Sequence, residues 1–213
     1  MRLHLRELKR IIREEIEGAQ SSSGVDRIAI FDFDGTLFRS PEKPSWWPYE
    51  GFWGRLETLS PPYVPQAPGP EWYIDSAVSE AKAAISDPRT YSCLLTGRIP
   101  KFSARVKELM DAAGVSFQDY FFASGGSTLP FKIKIIEEVI QKNPGVRIVE
   151  MWEDRTEHIG PFEQKLAEMG VQFRVHHVQS TPAEFLPGSE NIIPQVTNNK
   201  GKKSSTNSRP GQN

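Results

Sequence analysis

The sequence lacks the patterns of residues that form disulfides, zinc sites or membrane spans. It contains a single cysteine, Cys93, which excludes an internal disulfide, and it has no C-x-x-C motif or His/Cys cluster for zinc. Its longest apolar runs, such as residues 28–31 and 92–95, are too short to cross a bilayer. We therefore expect a cytoplasmic protein, in a reducing compartment, with no membrane partner.

Neither sign of charge is in excess. The 213 residues include 26 lysines and arginines against 27 aspartates and glutamates, so the formal net charge is −1. This balance argues against binding to nucleic acid through bulk charge alone, although it leaves a local basic patch open. With 38% hydrophobic residues the chain can bury a core, which excludes wholesale disorder and suits one domain with modest extensions.

The two ends of the chain differ from the middle. Residues 1–24 predict an appended amphipathic helix and a linker, because apolar residues near the start recur at spacings of three and four. These residues are Leu5, Leu8, Ile12 and Ile16. Residues 195–213 have no apolar periodicity and predict a disordered, weakly basic tail. The helix is a candidate for docking on the domain or on a partner, and the oligomeric state stays open.

Predicted strands and helices alternate over residues 25–194. The strands are 27–33, 90–96, 121–123, 146–152 and 171–177, and the helices are 99–113, 131–142 and 157–169. Strands separated by helices of this length pair in parallel and place helices on both faces of the sheet. We therefore predict an α/β fold of three layers, α/β/α, whose ligands lie beyond the carboxyl ends of the strands.

Residues 38–72 interrupt this alternation. The stretch is rich in proline, tryptophan and glycine and shows neither helical nor strand periodicity. Because a long loop in a compact domain usually serves as a lid or a binding loop, we predict an insertion over residues 38–89. Its four tryptophans either stack on bases or pack the irregular segment, and the pattern favours neither. They are Trp46, Trp47, Trp53 and Trp72.

Two aspartates at the end of the first predicted strand are the strongest local signal for chemistry. Asp32 and Asp34 stand in the run FDFDGTL, and Gly35 allows a turn that brings both carboxylates round a common point. Two buried carboxylates this close are costly without a cation. The alternative is a turn in which the aspartates accept local backbone hydrogen bonds, and the flanking phenylalanines argue against it.

The run D-x-D-G-T after a strand resembles the first motif of the haloacid-dehalogenase-like (HAD) superfamily of phosphotransferases. The other three motifs are matched in order by LLTGR at 94–98, by Lys132 and by WEDR at 152–155. Within this superfamily, the sequence resembles one group, the HAD domain of Swiss-Army-knife RNA repair proteins. The resemblance rests on the runs LLTGR, TLPFK and EDRTEH and covers about residues 26–178. The resemblance implies a Rossmann-like HAD fold with a small cap formed by the insertion between the first two motifs.

The resemblance implies a role for each aspartate of the motifs. Asp32 would be the nucleophile that forms an aspartyl-phosphate. Asp34 would be the acid that protonates the leaving oxygen and then the base that activates water. Mg²⁺ would be the cofactor, held by Asp32, by the main-chain carbonyl of Asp34 and by Asp154.

The fourth motif departs from the family pattern. A second acid often follows about four residues after the first, and this sequence has His158 there. Glu153 or Glu157 could hold a metal-bound water instead, so Asp154 is the one metal ligand carried over from this motif. We interpret His158 as a structural histidine.

The same resemblance implies a phosphate site. Thr96 would donate a hydrogen bond to a phosphoryl oxygen, helped by the Gly97 amide at the start of a helix. Lys132 would offset the negative charge of the nucleophile and the phosphoryl group, and its place in the matched run favours it over Lys134. Arg98 would either clamp the substrate or bridge a surface acid.

These assignments predict a Mg²⁺-dependent phosphohydrolase of the HAD type that acts on phosphate monoesters. The narrower resemblance indicates terminal phosphates on RNA or DNA ends, and a nucleotide or another small phosphorylated metabolite is the alternative substrate. The appended helix and basic tail motivate a function of another class, a non-catalytic binding or scaffold protein. Five intact motif residues argue against it: Asp32, Asp34, Thr96, Lys132 and Asp154.

Overall fold

The computed structural model describes residues 24–188 and residue 191. The predicted N-terminal helix, almost all of its linker and the predicted basic tail lie outside the described residues. Within the described part of the chain, no helix is long and apolar enough to cross a membrane.

Among residues 24–188, five parallel strands form a sheet at the centre of the fold, in the order β3-β2-β1-β4-β5. The strands are β1 (Arg27–Phe31), β2 (Thr90–Thr96), β3 (Asp119–Phe122), β4 (Ile148–Glu153) and β5 (Gln172–His177). Residues 28–31 of β1 are apolar and fully buried, which suits the central strand of a sheet covered on both faces. The predicted parallel α/β sheet is confirmed.

In the described part of the chain, four α-helices cover the two faces of the sheet. They are α1 (Asp75–Ser86), α2 (Ser103–Ala112), α3 (Thr128–Lys142) and α4 (Thr156–Glu168). Ala29 and Phe31 of β1 pack with α1 and α2, whereas Ile28 and Ile30 pack with α3 and α4. This division follows from the alternation of side chains along a strand, and it gives the three predicted layers.

Helix α1 was not predicted, because its buried residues are small and give a weak apolar periodicity. They are Ala77, Val78, Ala81 and Ala84. The helix packs on the sheet beside β1 and β2. The range 38–89 therefore holds two different parts, an irregular segment before Asp75 and a helix of the core.

The irregular part, residues 38–74, is called the insertion segment below. It contains three short 3₁₀ turns: Phe52–Gly54, Leu56–Leu59 and Pro70–Trp72. Trp47 and Tyr63 are buried against each other and against Phe185, which follows β5. Arg105 of α2 donates to three carbonyl oxygens of the segment at 2.6–2.8 Å, those of Leu59, Pro65 and Gln66. Aromatic packing and side-chain hydrogen bonds thus hold the segment where regular structure is absent.

Candidate active site

The carboxyl ends of β1, β2 and β4 lie side by side and bring predicted motif residues together. The pairing of β1 with both neighbours places Phe31 opposite Leu94 and Trp152. The residues that follow these positions therefore converge on one edge of the sheet. Lys132 enters the same place from the N-terminal part of α3.

Lys132 lies between two buried carboxylates. Its Nζ is 2.8 Å from Oδ2 of Asp32 and donates to Oε2 of Glu153 at 2.8 Å. The amide of Phe33 donates to the other oxygen of Asp32 at 2.8 Å. Lys132 and Glu153 are fully buried, so their charges are compensated by contact and not by water. Lys134, the alternative candidate on this helix, is exposed.

The pKa values of these groups reflect a crowding of negative charge. Burial raises the pKa of the Asp32 carboxyl although the Lys132 ammonium opposes it, and the charges of Glu153 and Asp154 raise it further. Burial alone would lower the pKa of Lys132, but the two carboxylates it contacts raise it. Burial also acts to raise the pKa of Glu153, but His158 and Lys132 lower it to about 2. A further cation would relieve this crowding.

Asp154 completes a cluster of three carboxylates that fits a divalent cation. Asp32, Glu153 and Asp154 each present one oxygen within 4.8 Å of the others. Oδ1 of Asp154 is buried and has no hydrogen-bond partner among the described residues, and burial raises the pKa of this carboxyl to about 6. Such unpartnered oxygens are rare and costly, and hard oxygen ligands suit Mg²⁺. Of the two glutamates left open, Glu153 belongs to the cluster and Glu157 is exposed.

Gly35 explains how the first and fourth motifs approach each other. Its φ of 68° lies in the left-handed region, and a Cβ at this position would lie 2.8 Å from Cγ of Asp154. A glycine is therefore required for the turn after Asp34 to reach Asp154. The hydroxyl of Ser180, after β5, donates to the Gly35 carbonyl at 2.8 Å and also holds the turn.

The carboxylate of Asp34 is paired with Arg98. Nε of Arg98 donates to the two carboxylate oxygens at 3.1 and 2.9 Å, and Nη2 donates to Oδ1 at 2.7 Å. Ser40 donates to Oδ1 at 2.5 Å. Burial acts to raise the pKa of Asp34, but Arg98 and Ser40 lower it, so the carboxyl is held ionised. Arg98 therefore pairs with an acid of the first motif and not with the surface acid that the sequence suggested, and a clamp on the substrate stays a prediction.

Arg98 also joins the insertion segment to the site. Its Nη1 donates to Oγ1 of Thr58 at 2.8 Å and to the carbonyl of Trp53 at 3.2 Å. Its guanidinium carbon lies 4.9 Å from the ring centroid of Trp53 and 4.9 Å from that of Phe102. One buried guanidinium thus connects an aspartate of the first motif with the insertion segment.

Thr96 ends β2 and Gly97 follows it, but the next helix begins later than predicted. The hydroxyl of Thr96 is buried and accepts a hydrogen bond from the Arg98 amide at 3.1 Å. A 3₁₀ turn over Pro100–Phe102 separates Gly97 from α2, so the Gly97 amide does not stand at the start of an α-helix. A Cβ on Gly97 would lie 2.9 Å from Cγ2 of Thr128, so the loop and α3 pack tightly here. Phosphate binding by Thr96 and Gly97 stays a prediction.

A cavity of about 530 Å³ opens over these groups. Its charged lining residues are Asp32, Asp34, Arg98, Lys132 and Arg155. The lining also includes Trp53 and four glycines of two loops, Gly51, Gly54, Gly125 and Gly126. No motif marks these glycines, and no role was predicted for Arg155. A groove of about 670 Å³ between residues 41–46 and 182–188 contains none of the predicted site residues.

His158 occupies the position where a second acid of the fourth motif was considered. It is buried, its ring meets that of Phe162 at a centroid distance of 5.6 Å, and its Nδ1 lies 3.3 Å from Oε1 of Glu153. The histidine therefore supports the glutamate that pairs with Lys132, as a structural histidine would.

A parallel sheet of this order, with an aspartate pair after its central strand and a lysine and a third aspartate beside it, defines a HAD-like domain. A model of one family matches residues 49–200, more than half of the chain. That family is the HAD domain family 1 in Swiss Army Knife RNA repair proteins, and this chain belongs to it. The resemblance found in the motifs is confirmed, although the matched range begins after Asp32 and Asp34.

Two solved structures resemble the chain. The HAD domain of effector protein Lem4 from Legionella pneumophila has a TM-score of 0.51 and 13% identity, over 74% of this chain and 88% of that one. This likeness shows the fold. A chain in the structure of the Pnkp1/Rnl/Hen1 complex has a TM-score of 0.49 and 14% identity over 75% of this chain. The present chain spans 48% of the length of that one, about half.

Proposed function

We propose that this protein is a Mg²⁺-dependent phosphohydrolase that cleaves phosphate monoesters through an aspartyl-phosphate on Asp32. One observation carries the proposal. The Asp32 carboxylate lies 2.8 Å from the Lys132 ammonium and beside Asp154, which has an unpartnered buried oxygen. Attack on a phosphate dianion needs a carboxylate nucleophile whose charge is offset in this way. Membership of a HAD domain family supports the proposal.

The reaction would proceed in two steps. In the first, an oxygen of Asp32 attacks phosphorus, and the bond from phosphorus to the leaving oxygen breaks as Asp34 transfers a proton to that oxygen. In the second, water attacks phosphorus, the bond to Asp32 breaks, and Asp34 takes up the proton of the water. The products are an alcohol and inorganic phosphate, and both aspartates return to their starting states.

The carboxylates of Asp32 and Asp154 and the main-chain carbonyl of Asp34 would hold Mg²⁺. When bound, the ion lowers the repulsion between the phosphate dianion and the attacking carboxylate. Glu153 is already paired with Lys132, so we assign it to positioning that lysine.

The pair between Asp34 and Arg98 sets a condition on this mechanism. An ionised carboxylate suits the base of the second step, but the acid of the first step needs a proton. A phosphoryl group in the cavity would compete for Arg98, because a guanidinium pairs with phosphate as well as with carboxylate. If the hydrogen bonds of Nε and Nη2 pass from Asp34 to the phosphate while Nη1 keeps its bonds to Thr58 and the Trp53 carbonyl, Asp34 can take up a proton from water.

For the substrate, we propose the terminal phosphate of an RNA or DNA end. The family description names RNA repair proteins, and a cavity of about 530 Å³ has room for a nucleotide-sized group. A free nucleotide or a small phosphorylated metabolite is the alternative within the same chemistry.

The test is release of inorganic phosphate from matched 5′-phosphate and 3′-phosphate oligonucleotides, as RNA and as DNA, beside a panel of mononucleotides. Each is assayed with Mg²⁺, with EDTA, and with the Asp32→Asn variant. Release from oligonucleotides that is lost with EDTA and in the variant supports the proposal and identifies the end. Release from mononucleotides alone keeps the chemistry and changes the substrate. A folded protein that binds Mg²⁺ and releases phosphate from none of them is a binding module, and the proposal is then wrong.

A further inference from the structure

The four tryptophans of the insertion segment lie in different environments. Trp47 and Trp72 are 5% exposed and pack the segment. Trp46 is 36% exposed and lines the groove beside residues 182–188. Trp53 is 44% exposed and lines the candidate active-site cavity. Of the four, Trp53 is therefore the one placed to contact a substrate there.

The indole of Trp53 is held in place without being covered. The buried ring of Phe52 meets it edge-on at a centroid distance of 5.2 Å. Arg98 lies over the ring at 4.9 Å and donates to the Trp53 carbonyl at 3.2 Å. The same guanidinium contacts Asp34, so a single side chain separates the indole from that aspartate. A ring fixed in this way loses little conformational freedom when it binds a ligand.

There is open space in the cavity beside Trp53. A Cβ built on four of the five lining glycines, Gly51, Gly54, Gly125 and Gly126, meets no atom within 4 Å, and at the fifth, Gly97, it would meet Thr128. At Gly54 the backbone has no positive φ either, so neither conformation nor packing requires glycine there. The absence of side chains at these positions leaves room for a flat group next to the indole.

We propose that Trp53 stacks on the base of the terminal nucleotide whose phosphate lies at Asp32 and Lys132. The inference rests on the proposed phosphohydrolase function and narrows its substrates to phosphates attached to a nucleotide. Arg98 lies over the ring at 4.9 Å, 44% of the residue remains exposed, and we assign this exposed area to the base. Stacking of this kind tolerates every base, because each has a π-face.

The experiment compares substrates with and without a terminal base. kcat/KM for phosphate release is measured on a phosphorylated oligonucleotide, on the same oligonucleotide with an abasic terminal nucleotide, and on glycerol phosphate. We expect Trp53→Ala to lower kcat/KM on the first by about 5- to 150-fold, mainly through KM, and to add no comparable loss on the other two. Trp53→Phe should retain most of the activity. Trp46→Ala removes a comparably exposed tryptophan from the other groove and is the matched control, for which all three rates should be unchanged.

An equal loss on all three substrates would overturn the stacking role, because Trp53 would then act only through Arg98. Binding of both oligonucleotides to Asp32→Asn, measured by fluorescence anisotropy, separates this inference from the function on which it rests. Suppose that no phosphate is released, but that the Asp32→Asn variant binds the intact end more tightly than the abasic end. If adding Trp53→Ala removes this difference in Kd, the proposed hydrolysis is wrong and the proposed stacking is supported. Equal Kd values for the intact and abasic ends overturn stacking, whatever the rate of hydrolysis.

Gly54→Leu provides a second variant that the fold should tolerate. Its side chain would fill the space beside Trp53 without meeting another atom at Cβ. We expect kcat/KM to fall more on the oligonucleotide than on glycerol phosphate, with an unchanged Tm. An equal fall on both substrates would contradict the proposed position of the base.

Discussion

The edge of the sheet and the insertion segment bury different kinds of residue in different ways. At the sheet edge, Asp32, Lys132 and Glu153 come at or next to regular elements, and the lysine contacts both carboxylates. In the insertion segment the backbone is irregular, and aromatic rings pack together in place of a helix or sheet. From each region we single out one group, a buried oxygen at the sheet edge without a hydrogen-bond partner in the described part of the chain and an exposed ring in the insertion segment. These two groups, Oδ1 of Asp154 and the ring of Trp53, are where we expect ligands to bind.

The two regions also differ in what a substitution should cost. A buried charge that loses its partner costs several kcal/mol, so the sheet edge tolerates little change. An apolar exchange that conserves volume usually costs less than about 1.5 kcal/mol, so the aromatic packing is more tolerant. Changes at the sheet edge should therefore affect chemistry and folding, and a change at Trp53, the exposed tryptophan of the insertion segment that lines the cavity, should affect substrate preference. Arg98 contacts both regions and should affect both properties.

The largest effect on rate is expected at Lys132. Lys132→Gln removes the charge that compensates the nucleophile and should lower kcat for phosphate release by about 100- to 1,000-fold. Lys134→Gln changes an exposed lysine on the same helix and should leave kcat unchanged. Both variants are assayed on one ester after circular dichroism has shown that they are folded. Similar kcat values for the two variants would show that the buried lysine contributes no more to catalysis than the exposed one.

Glu153→Gln tests the cost of breaking a buried pair. The change deprives Lys132 and His158 of a charged partner, so the free energy of unfolding should fall by about 3 kcal/mol. Glu138→Gln breaks a pair with Lys134 at 3.6 Å whose members are exposed, and should change this free energy by less than about 1 kcal/mol. Urea unfolding measures both values. A loss at Glu138 as large as that at Glu153 would show that burial does not decide the cost.

Gly35→Ala tests the contact between the first and fourth motifs. Gly35 and Gly114 both have positive φ, 68° and 71°, so alanine at either should cost about 1 kcal/mol of unfolding free energy. At Gly114 the nearest atoms belong to the flexible end of Lys82 at 3.5 Å, whereas at Gly35 the carboxylate of Asp154 is in the way. Gly35→Ala should therefore cost about 1 kcal/mol more than Gly114→Ala and weaken Mg²⁺ binding in calorimetry. Equal Mg²⁺ affinities in the two variants would argue against Asp154 as a ligand.

The smallest expected effect comes from Arg98→Lys. Lysine keeps the charge but cannot donate hydrogen bonds to Asp34, Thr58 and the Trp53 carbonyl at the same time. We therefore expect kcat/KM to fall about tenfold, which corresponds to the loss of about one hydrogen bond to a charged group. Arg105→Lys is the control, because Arg105 also holds carbonyls of the insertion segment. Both variants should lower Tm, and only Arg98→Lys should lower kcat/KM. Equal losses of activity would mean that the segment matters to catalysis through its stability alone.

Much of the fold was predictable from local pattern. The apolar run of β2 was predicted at its observed bounds, Thr90–Thr96, because a buried strand between turn residues is a property of a few neighbouring residues. Helix α1 was missed, because alanines carry little periodic signal. Helix α3 begins at Thr128, earlier than predicted, because Pro130 lies in the first turn, where proline is tolerated.

The candidate site was predictable as a set of residues but not as a set of contacts. The resemblance to the HAD motifs grouped Asp32, Lys132 and Asp154, and the parallel sheet explains why motif residues at strand ends converge. The pair of Arg98 with Asp34 joins residues 64 positions apart, and no local pattern indicates it. Trp46 and Trp53 have the same side chain in the same kind of segment, and their sequence neighbourhoods do not say which one lines the cavity.

Sequence alone determines the periodicity of strands and helices and the turn allowed at Gly35, because these depend on a few neighbouring residues. These local signals were enough to infer the layered fold and the segments that carry candidate chemistry. The partners of Lys132, the clamp of Arg98 on Asp34 and the exposure of Trp53 were settled by tertiary structure. Each of these depends on distant segments meeting, and the same charged or aromatic side chain is paired, buried or exposed according to the neighbours that the fold brings to it.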